Sequence, residues 1–407
     1  MPHVQLALLL GMTVALGPLA LDAYLPAFPD IADSLGVGHG DVGLTLSAYV
    51  ASLGLAQLVG GPLSDRYGRR VILFCGLAIF AVGALLVSQA DSLTHMIVWR
   101  LIQGIGGAFC AVSVPAIVRD QSSGTDSARL FALIGLIMFV APALAPTIGS
   151  LMLELAAWPA IFWVLALYAA LLALVLNVAL FRRLTPPTPV RTPVHTLVTN
   201  YMLVLKHPVT MRFIGLQALC FSAMLVFITN ASFVYQEWFG LSRSLFSGLF
   251  AANIAAMACL NLLNRKLLQY FESAAILRTF VIIQAIAVVS LVICAWAALP
   301  YWAVAACIIA TVGCMGASVP NNLANALEFF PRLGGTAAAL LGAAQFSISG
   351  AVSALSAAVF GESLIAIVLT MAVCVFLALV LAIGAPASVR KALAALPDED
   401  GGRPQRA

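Results

Sequence analysis

A chain of 407 residues with 62% hydrophobic and only 9% charged side chains has too little polar surface for water, and its mean hydropathy of +1.06 excludes an ordinary soluble domain. Its net charge of +4 is scattered over many short loops and forms no stripe, which argues against nucleic acid as a partner. The apolar residues come in blocks of about 20, the length that carries a helix through a hydrocarbon core about 30 Å thick with every backbone amide bonded internally.

Twelve such blocks are read along the chain, at roughly 5–28, 42–63, 71–89, 95–118, 129–154, 158–180, 209–236, 244–264, 275–297, 301–325, 334–358 and 362–385. The first has no basic leader region and carries Asp22 close to Pro26 in place of a small-residue cleavage site, so it is expected to stay as a span. After the second comes Gly61-Pro62-Leu63-Ser64-Asp65-Arg66-Tyr67-Gly68-Arg69-Arg70. Gly61 and Gly68 suit close packing and a tight turn, while Asp65 among Arg66, Arg69 and Arg70 suits an ionic latch at a membrane surface. The fourth block holds Arg100, with Gln103 three residues on and so on nearly the same helical face. Asp22 and Arg100 both fall about 8 to 9 Å inside the outer end of their blocks. An ionisable side chain at that depth is costly and marks a functional site, so the pair is the candidate for proton coupling. In the fifth block Ala141, Ala145 and Gly149 recur beside Pro142 and Pro146, a pattern that permits close contact and a local bend.

Between the sixth and seventh blocks, 183–208 is proline-rich and reads as a cytoplasmic linker. It divides an N-terminal six-helix bundle (1–182) from a C-terminal one (209–385), followed by a tail (386–407) of disordered composition. The loop after the eighth block keeps the basic character of 61–70 and loses its acid and glycines. Polar and aromatic residues at mid-membrane depth nominate a substrate cavity of Tyr24, Tyr49, Gln103, Phe227, Asn230, Asn253 and Gln345. Eighteen of the 20 Lys and Arg residues fall on one side when the N-terminus is placed inside, which puts both termini in the cytoplasm; Arg100 and Arg243 are the exceptions. The eight cysteines lie within blocks without a close CxxC pair and are read as core residues; the five histidines lie at block ends or in loops. Neither a metal motif nor a nucleotide-binding or nucleophile motif occurs, so no cofactor is expected beyond protons as the coupling ion.

The Gly61–Arg70 stretch resembles the loop motif of the major facilitator superfamily in its drug:proton antiporter branch. Arg100-Leu101-Ile102-Gln103-Gly104 is similar to that branch's RxxQG motif, and Asp22-Ala23-Tyr24-Leu25-Pro26 to its first-span motif. With Val118-Arg119-Asp120, whose Arg119 and Asp120 join the latch in this reading, they resemble most the Bcr/CflA group, which includes bicyclomycin and chloramphenicol exporters. Ala145-Pro146-Thr147-Ile148-Gly149-Ser150 resembles the antiporter motif G-P-x-x-G-G with two glycines replaced. The resemblance implies an all-α polytopic protein with the major facilitator fold, working as a monomer in the bacterial cytoplasmic membrane. It implies proton-driven efflux of small hydrophobic or amphipathic drugs by alternating access, not an enzyme. Export of an endogenous metabolite, siderophore or peptide is the alternative reading. A polytopic enzyme would need clustered acids, histidines or nucleophiles, and a sensor would carry a soluble signalling domain; neither is seen in the sequence.

Overall fold

The computed structural model describes residues 3–122, 124–182, 194–330, 333–360 and 363–384. The proline-rich part of the expected linker (183–193) and the expected tail lie outside them. Among the described residues there is no strand, and twelve helices are long and apolar enough to cross a membrane. Spans 1 to 6 are Val4–Leu35, Gly40–Tyr67, Arg69–Val87, Leu93–Gln121, Arg129–Leu155 and Pro159–Phe181. Spans 7 to 12 are Pro208–Trp238, Arg243–Leu267, Ser273–Trp296, Tyr301–Leu327, Gly334–Ala358 and Leu364–Ile383. Twelve passes bring both ends of the array to one face, termed here the terminal face.

Span 1 is longer than its apolar block because it is built in three pieces. A helix His3–Asp22 ends before Pro26, a 3-10 turn covers Leu25–Ala27, and an amphipathic helix Phe28–Leu35 follows with Asp30 in its first turn. Pro26 lacks an amide hydrogen, and its ring disfavours helical backbone in the residue before it, which accounts for the break. Spans 6 and 7 end in π-helical turns at Leu176–Phe181 and Phe233–Trp238. The linker contains a helix, Val194–Leu205, that the sequence reading had not assigned; its Tyr201 hydroxyl donates to the Leu58 carbonyl of span 2 at 3.2 Å. Span 5 stays helical through Pro142 and Pro146.

The repeat that is faint in the sequence is plain in the packing. Span 1 packs on 5, 2 on 4, and 3 on 4 and 6; six spans later, 7 packs on 11, 8 on 10, and 9 on 10 and 12. The halves meet where span 2 lies along 11 and span 5 along 8. Large apolar side chains such as Leu136, Trp163, Ile286, Ile293 and Phe376 point outward and form a lipid-facing surface. The cysteines are less uniform than expected: Cys75 and Cys259 are exposed, and the Cys294 and Cys307 sulfurs lie 3.8 Å apart.

Candidate functional site

Arg100 is fully buried. The broken end of the first helix explains how it is held. A helix leaves its last carbonyls without helical partners and with a partial negative charge. Here the Leu19 carbonyl is taken by the Ala23 amide, and the Ala20 carbonyl accepts Arg100 Nη2 at 3.0 Å. Arg100 Nη1 donates to Gln103 Oε1 at 2.8 Å, joining the two residues of the RxxQG stretch. The guanidinium carbon lies 4.4 Å from the Tyr24 ring centre, 4.5 Å from that of Tyr49 and 5.7 Å from that of Phe162. An arginine at the centre of a span costs about 3 kcal/mol to insert. A desolvated cation over an aromatic face recovers about 2 kcal/mol, and a helix C-terminus up to about 2. The charge is therefore held without a carboxylate.

Asp22 is buried at 5% exposure, yet it forms no ion pair with Arg100 among the described residues. The expectation that Arg100 tunes Asp22 is thus not met by side-chain contact: the guanidinium donates to the Ala20 carbonyl and Gln103 instead. Arg100 instead holds span 1 on both sides of Asp22, by the backbone at Ala20 and the ring at Tyr24. The Tyr24 hydroxyl donates to Thr45, whose own proton goes to the Val42 carbonyl. Arg100 Nε, Gln103 Nε2 and the Tyr49 hydroxyl are buried without a hydrogen-bond partner among the described residues. Span 5 approaches closely at Gly149, where a Cβ would lie 1.7 Å from the Ala23 carbonyl oxygen.

The nominated cavity residues divide. Tyr24, Tyr49 and Gln103 gather on Arg100, whereas no hydrogen bond or ring contact joins Phe227, Asn230, Asn253 and Gln345 to one another. Phe227 packs edge-on against Tyr235, Asn230 donates to the Val226 carbonyl of its own helix, and Gln345 accepts from Gln217 at 2.9 Å. Asn253 donates to Leu249, and its buried Oδ1 has no hydrogen-bond partner among the described residues.

The 61–70 stretch is organised around Arg69. Its Nε donates to Asp120 at 2.9 Å, and its Nη1 reaches Asp65 and, at 3.3 Å, Ser64, so spans 2, 3 and 4 are tied together. Gly68 has φ 93°, a backbone that L side chains rarely adopt, and so makes the turn as expected. Gly61 differs from expectation: a Cβ there would meet nothing within 4 Å, because the residue lines an open cleft rather than a helix contact. Arg66 lies over Tyr67, and Arg70 donates to Asn177 of span 6, so neither joins the ion cluster. Arg119 reaches the other half, its Nη1 lying 3.2 Å from where a Cβ on Gly335 would stand. The cleft, about 420 Å³, opens on the terminal face between the halves, among Asp65, Arg69, Arg119, Tyr201 and Thr336.

Sequence reasoning missed the corresponding place in the second half. Asn321 Nδ2 donates to Asn264 Oδ1 at 2.6 Å, Ser273 donates to Asn321 Oδ1 at 2.8 Å, and Asn325 Nδ2 donates to Ser273 at 2.9 Å. All three asparagines are buried, and the network ties spans 8, 9 and 10. The available signal was three asparagines, Asn321, Asn322 and Asn325, within five residues of a largely apolar span.

The family model described as Major Facilitator Superfamily matches residues 10–354. The chain belongs to the major facilitator superfamily. Among its relatives is the "Bicyclomycin resistance protein homolog" of Haemophilus influenzae, 29% identical over 375 residues, covering 90% of this chain and 92% of that one. The "Multidrug resistance protein D" of Escherichia coli is 33% identical over 199 residues, 49% of this chain and 50% of that one. Both agree with the resemblance to the Bcr/CflA group. A solved D-xylose-proton symporter has the same fold, with a TM-score of 0.70 and 15% identity over 92% of this chain and 96% of its own. The protein is accordingly a multi-pass membrane transporter of this superfamily and not an enzyme.

Proposed function

We propose that this major facilitator protein exports small hydrophobic or amphipathic drugs from the cytoplasm in exchange for protons, as a monomer with both termini inside. The observation that carries the reading is the grip of Arg100 on either side of a buried Asp22 that has no ion pair among the described residues. Once Asp22 loses its proton its charge requires a cation, and among the described residues Arg100 is the one buried cationic side chain. The two are not in contact, so for them to pair span 1 must shift against Arg100, which grips it at the Ala20 carbonyl and the Tyr24 ring while its Nε is still without a hydrogen-bond partner among the described residues. Proton loss is thereby tied to a change in the helix that borders both halves. The names of the relatives support drugs as cargo, and the charge asymmetry of the loops supports the orientation.

The test is transport in inverted vesicles under an imposed proton gradient. Asp22→Asn is expected to retain binding of a drug that the wild type exports while its uptake no longer responds to the gradient. Undiminished coupling in that variant would end the proposal.

A further inference from the structure

Arg243 is the second basic residue that defies the charge asymmetry of the loops, and Arg100 accounts only for the first. It opens span 8 on the face opposite the termini, and its Nη2 donates to both oxygens of Asp30, at 2.6 and 2.8 Å. Asp30 lies on the short helix Phe28–Leu35 beyond the break in span 1. That helix is fixed to its own half by Trp158, whose indole N–H donates to Ser34 at 2.9 Å. Arg243 is fixed to the other half through span 8, so the ion pair crosses the boundary between the halves. One turn deeper, Ser247 donates to the Arg243 carbonyl, and Ser150 of span 5 therefore donates to Ser247, at 3.0 Å.

We infer that Arg243 and Asp30 are positioning residues for transport: their ion pair latches the face away from the termini shut, and it must open each time cargo leaves by that face. The inference goes beyond proton coupling and rests only on alternating access in a transporter of this family. Both side chains are more than a third exposed, so the pair is weak enough to break in every cycle. Its placement also links it to the coupling site. The helix carrying Asp30 continues from the segment that Arg100 holds at Ala20 and Tyr24, so a shift of span 1 strains the pair directly.

The test uses the full-length protein in nanodiscs, where both faces meet the reagent and neither orientation, gradient nor known cargo matters. Ser247→Cys serves as reporter, being buried while the latch is shut; its alkylation by a water-soluble maleimide is followed by peptide mass spectrometry. Arg243→Gln and Asp30→Asn are each expected to raise the labelling rate by up to about fivefold, the population shift that a partly exposed ion pair can supply. The Asp30 variant keeps the arginine beside the thiol and so separates gate opening from a change in thiol reactivity. The charge swap Asp30→Arg with Arg243→Asp should return labelling toward the parent rate. Unchanged labelling in either single variant, or labelling in the swap as fast as in the singles, overturns the latch. Since the assay involves no proton movement, its failure would leave the coupling proposal standing, and failure of coupling in Asp22→Asn would leave the latch standing.

Discussion

The two halves solve the same packing problem with different chemistry. At the ends of spans 2, 3 and 4 the tie is ionic, with Arg69 between Asp65 and Asp120 and all three side chains partly exposed. At the ends of spans 8, 9 and 10 it is neutral and buried, an amide and hydroxyl network of Asn264, Ser273, Asn321 and Asn325. The contrast extends inward. Among the described residues the two buried charged side chains, Asp22 and Arg100, both lie in the first half, while the buried polar side chains of the second are neutral, one oxygen of the partly exposed Glu237 being a buried charged atom there. A neutral network holds its geometry whatever the proton occupancy, whereas charged groups respond to it. The first half thus carries buried groups whose charge can change, and the second a neutral network at the matching place.

The sharpest way to break this contrast is Arg100→Ala. It strands the Ala20 carbonyl and opens a void among three rings, costing about 3 kcal/mol in stability. A drug-susceptibility panel in an efflux-deficient host should show protection by the intact protein and none by the variant. Equal protection by both would remove the first half's special role, and a flat panel for both would favour a metabolite as cargo. Next in size, Asn321→Ala leaves Asn264 and Ser273 short of partners and should cost about 2 kcal/mol, read as a lowered Tm in detergent. Smaller still, Arg69→Ala should cost about 1 kcal/mol at low salt, and the loss should fade at 1 M salt, where the screening length falls to about 3 Å. The Asn321→Ala deficit should not change with salt; parallel salt responses in the two variants would collapse the distinction. A loss of the same size, about 1 kcal/mol, is expected from Gln345→Ala, which leaves the buried Gln217 amide without its acceptor and should leave proton coupling intact.

The spans were legible in the sequence because a bilayer imposes both a length and a composition on them. Where the reading fell short, polarity was the reason. The helix Phe28–Leu35 carries Asp30 and Asp33, so apolar counting stopped before it, although it continues span 1. Arg100 and Gln103 could be paired from their spacing alone, being neighbours on one helix. The partner of the second guanidinium nitrogen could not, since it is a backbone carbonyl set free by a helix end, and no side-chain pattern marks it. Gly61 was assigned to packing by its chemistry, but only the arrangement of the two halves places it on a cleft. The asparagine network needed three spans brought together, of which the sequence displays only the spacing of Asn321 and Asn325 in one.

The Trp158 to Ser34 bond has a practical consequence. Trp158 also packs edge-on against Phe162, one of the rings around Arg100. A native fluorophore thus already joins the rings around Arg100 to the helix that carries Asp30. Its emission, isolated from the other indoles among the six by subtracting the spectrum of Trp158→Phe, offers a label-free optical signal of span 1 movement when protons or drug are added.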